Sequence, residues 1–397
     1  MARNETENSP LSGLESMLQK ATSGARQETE HSPLSGMDEY PIHQFSEPVR
    51  VVSTTDARAY ERYWFTVEDE AGEFFLVTGF GVYPNLDTVD AYVIFIRDGV
   101  HTSLRMHRLL GDDRANTRFG PLRAEVIEPF REWKLVLEDN DQDLRFDLRW
   151  RDTKRAIFQR FNPFGTSNRN GRLVTAEISG YETFGRVEGT ITHQGQRIAV
   201  NPAHVRGSRD HHWGIRNGVG GPGHMEPETL RSHFAQFVEF EDWSIWGIRG
   251  LYNLGDKRPG FARVVKSDNR LRFDPQTKHL VGGIVTNTFD TGEVKEVHYE
   301  QIGSLVAHLR CGMYQGPTGG TPDGDIYHGM YVGDDVVAGR TDDLTDVRVR
   351  TELAGFEDHL CTARCDGETT VGILECRNPL LYDMCNEGLP GFSLLDS

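Results

Sequence analysis

Residues 207–216 read Gly-Ser-Arg-Asp-His-His-Trp-Gly-Ile-Arg, which sets two imidazoles, a carboxylate, two guanidiniums and an indole within ten positions. Each charge or imidazole taken out of water needs a partner, so a segment this dense is either a structural ion-pair knot or a place where chemistry is done. The chemistry it suits is acid–base work on an apolar molecule. A carboxyl in an apolar pocket stays protonated and becomes a proton donor, which gives that role first to Asp210. An indole face attracts a cationic centre, worth about 0.5–2 kcal/mol, so Trp213, helped by Trp243 or Trp246, can shelter a carbocation. His211 or His212 then deprotonates water near neutral pH. Arg209, Arg216, Phe240, Trp243 and Trp246 make up the substrate-binding set. The competing reading is architectural. Arg209 and Asp210 are adjacent, a strand points them to opposite faces, each pairs across a seam, and Trp213 is core.

The elements that must position this cluster are strands. Residues 74–80, 92–97, 122–128, 133–137, 185–192 and 197–200 form short apolar or alternating runs, and residues 144–150 alternate strictly, the period of a half-buried strand. Asp98-Gly99 and Gln194-Gly195 mark hairpin turns. The texture repeats over 235–240, 243–251, 261–266, 280–287, 294–301, 303–310, 346–353 and 369–376, while helical periodicity is nearly absent. Two such sets imply an all-β chain of two stacked domains, placing the cluster at a seam, where pockets form. Phe234, Phe237, Phe240, Trp243 and Trp246 recur every three residues, read here as a kinked strand pair lining a pocket.

Composition narrows the classes. Among 397 residues, 43 basic against 60 acidic give a net charge of −17, with no basic stripe to meet a phosphate backbone, so nucleic acid is not expected as a partner. No run is apolar enough to span a bilayer, and residues 1–20 lack a signal-peptide pattern, so no integral membrane association and a cytoplasmic location are expected. The five cysteines are expected as reduced thiols; without a CxxC pair, neither a structural metal nor a cofactor is expected. Residues 5–13 and 28–36 nearly repeat one another in a polar stretch, which reads as a disordered tail. The glycine-rich run 217–224 lacks the Lys-Ser/Thr ending of a phosphate loop and reads as a loop over a pocket. Asp323-Gly324-Asp325, Asp334-Asp335 and Asp342-Asp343 read as solvated turns.

Residues 207–216, preceded by Gly-Arg-Val-Glu-Gly at 185–189, resemble the tandem lipocalin-like superfamily that includes carotenoid hydratase, kievitone hydratase and, more distantly, fungal Diels–Alderases that form decalins. Residues 67–85 resemble its uncharacterised bacterial branch. The resemblance implies two lipocalin-like β-barrel or β-sandwich domains, here 46–205 and 206–397 behind a tail of 1–45. It also implies an apolar pocket that works on prenyl or polyketide-like molecules with no cofactor or metal. In the carotenoid hydratases an acidic residue and a His-x-Trp pair are implicated. His211 and Trp213 match the pair, and Asp210, Glu239, Glu241 and Asp242 are all open for the acid. The expected function is a cofactor-independent hydratase or lyase acting on a C=C bond of a hydrophobic terpenoid, steroid or related lipid. The alternatives are an isomerase or pericyclic cyclase on a similar substrate, and a non-catalytic lipid-binding protein.

Overall fold

A computed structural model describes residues 34–160, 166–168, 173–221, 233–248, 251–256, 261–312 and 327–395. The readings of residues 1–33 as tail, of 222–224 as part of a loop and of Asp323-Gly324-Asp325 as a turn lie outside these residues. The chain divides into two units, the smaller made of residues up to Val51 with Gly111–Ala115. Within it Gly36–Glu39 forms one 3-10 turn, capped reciprocally by Ser35 and Asp38, and Arg50 Nε donates to Gly111 O at 2.8 Å.

Among the described residues the larger unit is built from two sheets, antiparallel throughout except where Phe392–Leu394 pairs in parallel with Phe261–Phe273. The first has fourteen described strands. Its main path runs Asp335–Asp343, Val100–Leu109, Thr88–Arg97, Phe74–Tyr83, Ala59–Asp69, Val205–Ile215, Leu173–His193, Leu144–Asp152, Glu132–Leu137, Leu122–Glu128 and Arg118–Phe119. The sheet curls until Thr341 Oγ1, on one edge strand, donates to Gln142 Oε1 at 3.1 Å. The second has nine strands from Phe234 onward, and Leu251–Asp256 also pairs with Phe261–Phe273. That pairing joins eight antiparallel strands into a closed barrel, the strand number at which side chains fill the interior. Val205–Ile215 is thus an inner strand of the first sheet, and the chain passes to the second sheet between Ile215 and Phe234.

The turns named from sequence close hairpins as their chemistry demands: Asp98 and Gly99 have φ of 51° and 77°, Gln194 and Gly195 of 49° and 73°, the paired positive values of a type I′ turn. One segment differs. Residues 346–353 read as a strand, yet Val347–Leu353 is a helix. Its β-branched residues at 347 and 349 mimic a strand alternation, but the Asp346 side chain accepts from Arg348 N at 2.8 Å and Leu353 is buried at the far end, so capping and one anchor override propensity.

Among the described residues, three larger apolar clusters follow from strand alternation, beside a small one of Tyr60, Tyr83 and Val219. Phe65, Phe74, Leu76 and Trp150 fill the first sheet. Phe240, Trp243, Leu271 and Val297 fill the second. Between the sheets lies a third layer drawn from both, with Trp64, Phe75, Val77 and Phe184 of the first against Phe237, Trp246, Leu360 and Ile373 of the second. Strands such as Phe74–Tyr83 are buried on both faces, which is why they read as continuous apolar runs. All five cysteines are buried free thiols packed into these layers.

Candidate functional site

The cluster singled out by sequence occupies Val205–Ile215, held between Ala59–Asp69 and Leu173–His193. The register sets Asp210 between Trp64 and Glu182, His211 between Tyr63 and Tyr181, and His212 between Arg62 and Gly180. Successive side chains leave a strand on opposite faces. Asp210 and His212 therefore share the face that carries Trp64, toward the layer between the sheets, while Arg209, His211 and Trp213 share the face that carries Tyr63 and Phe65. The expected union of Asp210 with Trp213 does not form, because three residues of separation on a strand is an odd step.

On the inter-sheet face, His212 Nε2 lies 2.5 Å from Glu182 Oε1, and His212 Nδ1 lies 3.5 Å from Asp210 Oδ2. Gln159 Nε2 donates to the other Glu182 oxygen at 3.4 Å. Gly180 makes room for the imidazole, since a Cβ there would stand 2.2 Å from His212 Cδ2. The indole on this side is Trp246, its ring 6.5 Å from that of His212 in a T-shaped approach. Asp210 is 21% exposed and His212 13%, whereas Glu182 is 2% exposed. Burial pushes the Asp210 carboxyl up to about 7, with Glu375 adding to the rise and Arg62 and Arg216 opposing it. Burial, reinforced by Asp210, holds the Glu182 carboxyl well above the carboxylate range. The same desolvation, with the Arg216 and His211 charges, holds the His212 imidazole well below its ordinary value. At neutral pH Glu182 and His212 are neutral and Asp210 is divided between its two forms, so the trio is ready to exchange protons.

Protonated acids continue along this layer. Glu68 is pushed up to about 7 by burial although Thr66 Oγ1 donates to it at 2.6 Å. Asp358, which accepts from Trp64 Nε1 at 3.3 Å, is raised well above the carboxylate range by burial and by the adjacent Glu375.

The opposite face is a rivet. Arg209 grips both oxygens of Asp152 at 2.8 and 2.6 Å, the two side chains being 0% and 2% exposed. The guanidinium lies 5.3 Å from the Tyr181 ring and 5.9 Å from the Trp133 ring. His211 bonds Glu61 at 2.9 Å and stacks on Tyr63 at 3.8 Å, and Trp213 neighbours Phe158 and Tyr181 at 6.2 and 6.4 Å. Arg216 lies 6.0 Å from the Tyr60 ring. Phe240 and Trp243 are not brought to the cluster at all. They stack on each other at 4.5 Å inside the second sheet, because Trp243 and Trp246 are themselves an odd step apart. Of that aromatic series, Trp246 alone lies beside His212, while Phe237 lies 6.1 Å from Trp246. Glu182 and Gln159 were missed from sequence. Each is one polar residue in a strand, and only cross-strand register shows what it faces.

Among the described residues two groupings, one buried and one partly so, have the residue types of a metal site, and neither fits one. Glu182, Asp210 and His212 converge, but a nitrogen and an oxygen 2.5 Å apart share a proton. Two ligands on metal bonds of about 2.0–2.2 Å stand farther apart than that. His101, Cys311 and Asp342 also converge. The His308 backbone N–H donates to His101 Nε2 at 3.2 Å, which puts the imidazole proton on Nδ1, and Arg340 occupies both oxygens of Asp342. Two cavities of about 380 and 440 Å³ are lined by residues such as Pro121 and Gln142 or Asp147 and Pro202, and neither is lined by Asp210 or Trp213.

Residues 34–248 match the model of a family of unknown function, DUF8625. The chain belongs to that family. No curated protein matches the sequence. Among solved structures, this family member is similar to a protein of Nitrosomonas europaea described as an AttH, at 15% identity and a TM-score of 0.50, over 85% of this chain and 97% of that one. CghA in complex with Sch210972 aligns at 9% identity and 0.45 over 81% and 88% of the two chains. Kievitone hydratase from Nectria haematococca aligns at 9% identity and 0.40 over 80% and 88%. These likenesses concern fold. The all-β architecture of two curled sheets expected from the strand pattern is the one the chain adopts. Among the described residues, no helix is long and apolar enough to cross a membrane.

Proposed function

We propose that this chain is a hydratase or lyase acting on a C=C bond of a hydrophobic small molecule of the terpenoid, steroid or related lipid class. The observation that supports it is Asp210. Its carboxyl is partly open to solvent, pushed up to about 7, and adjoins a neutral imidazole and a buried second acid. Perturbed acids of this kind concentrate where proton transfer is done. Asp210 protonates the less substituted alkene carbon, and the indole of Trp246 shelters the tertiary cation. Water adds to the cation, and the proton it sheds goes to the His212–Glu182 pair, so one proton enters the substrate and one leaves the water. Dehydration runs the same steps in reverse. Arg209 with Asp152, and His211 with Glu61, hold the central strand in register from the other face.

The test is turnover of a panel of prenylated, polyprenyl and steroidal alkenes in water enriched with heavy oxygen. Labelled alcohol from the intact chain is the expected result, and Asp210→Asn should lower its rate by about 10²–10⁴, the share that a positioned acid supplies. Unlabelled isomers or cyclised products would replace this reading with isomerisation or pericyclic closure. Saturable binding without product would make the protein a carrier, and unchanged turnover in Asp210→Asn would remove Asp210 from the chemistry.

A further inference from the structure

Glu182, His212 and Asp210 lie in a row, and the hydrogen bonds around them fix which atoms carry protons. Gln159 donates to Glu182 Oε2, so that oxygen is an acceptor and the acid proton of Glu182 belongs on Oε1, facing His212 Nε2 at 2.5 Å. An imidazole that accepts at Nε2 carries its proton on Nδ1. Nδ1 faces Asp210 Oδ2 at 3.5 Å, a few tenths of an ångström beyond hydrogen bonding, and Asp210 is exposed enough to close that gap. The row is thus oriented in one direction, from a buried acid through a ring to the partly open one.

We propose that Glu182 is the proton reserve of the site and that His212 relays its proton to Asp210 after each donation to substrate. The step balances: the Nδ1 proton of His212 moves to the Asp210 carboxylate, the Oε1 proton of Glu182 moves to His212 Nε2, and the imidazole stays neutral throughout. Glu182 is left as the anion; the proton shed by the attacking water enters at His212 Nδ1 while the Nε2 proton returns to Glu182 Oε1, which restores both the acid and the Nδ1–H tautomer. Glu182 is the more deeply buried of the two acids and holds its proton the more tightly, so its anion is short-lived and draws a proton back within the same cycle. The groups that face the relay are Arg62 on one neighbouring strand, Arg216 on the same strand, His211 beside it and Glu375 from the second sheet. Gly180 is the positioning residue, since any side chain there would displace the ring.

This inference rests on the hydratase reading for its purpose but is tested apart from it. In histidine-labelled intact protein, nitrogen NMR should show His212 as the neutral Nδ1–H tautomer at pH 7, with a strongly downfield shared proton that vanishes in His212→Asn and in Glu182→Gln. In Glu182→Gln the amide keeps the contact but cannot pass a proton. Turnover should therefore fall about tenfold or more from the first cycle onward, with partial rescue by small carboxylic acids. An Nε2–H tautomer, or no shared proton in the folded wild type, overturns the relay. Equal steady-state rates in wild type and Glu182→Gln do the same. If wild type turns over no alkene, the hydratase reading fails, and the NMR result alone upholds or overturns the relay.

Discussion

Replacing Asp210 by Asn should change the way stability depends on pH by an amount that can be worked out. The Asp210 carboxyl is pushed up to about 7 in the folded chain against 3.8 for an ordinary aspartate. Between those values the folded state keeps a proton that the unfolded state has lost. The contribution of this group is therefore greatest in acid and declines as pH rises toward 7. Each pH unit inside that window is worth about 1.4 kcal/mol, so from pH 5 to 8 wild type loses about 2–3 kcal/mol that Asp210→Asn does not lose. Urea unfolding of both proteins at pH 5, 6, 7 and 8 measures it, since the slope with denaturant gives each free energy. Taking the difference between variant and wild type at each pH cancels the titrating groups that Asp210 does not influence, and Glu182, held protonated across this range by burial, adds little. Asp210→Asn should gain on wild type steadily up to pH 7 and then run parallel to it. A constant difference across the series would mean that Asp210 titrates normally, and the argument for a neutral acid would fall with it.

Asp152→Asn removes the anion from Arg209, two groups that are 2% and 0% exposed, and should cost about 3–5 kcal/mol by the same denaturant assay because a buried charge is left alone. Gly180→Ala should abolish the shared-proton signal and also lower the urea midpoint, since its Cβ would fall 2.2 Å from the His212 ring and 2.5 Å from the His211 carbonyl oxygen. His107 is held down to about 4 by burial first and by Arg105 second. It is neutral when folded and gains a proton on unfolding below about 6.5, so wild type should lose up to about 2–3 kcal/mol between pH 6.5 and 4 that His107→Gln does not lose. Trp246→Ala should lower turnover without moving the pH midpoint of Asp210, as expected of a cation shelter that carries no proton.

The amino-acid sequence determined the class of structure and singled out the candidate site. Alternating runs, continuous apolar runs and paired Asp-Gly and Gln-Gly turns are local signals, and each acts through nearest neighbours, so the strands of residues 74–83, 144–152 and 280–289 were legible before any coordinates. The density of ionisable groups at 207–216 likewise announced that something must neutralise them. Which groups do so was not legible, because partners on neighbouring strands are set by register, and register is decided by packing across two sheets. Asp152 closes on Arg209 from 57 residues away in the chain, and Glu182 meets His212 from 30 away. Parity along the strand, once the faces are assigned by the cores they cover, separates Asp210 from Trp213 and sends Trp243 into the second core while leaving Trp246 beside His212. Tertiary structure decided the chemistry of the site, since burial between the sheets is what keeps Asp210 and Glu182 protonated, and no single strand can desolvate its own side chains.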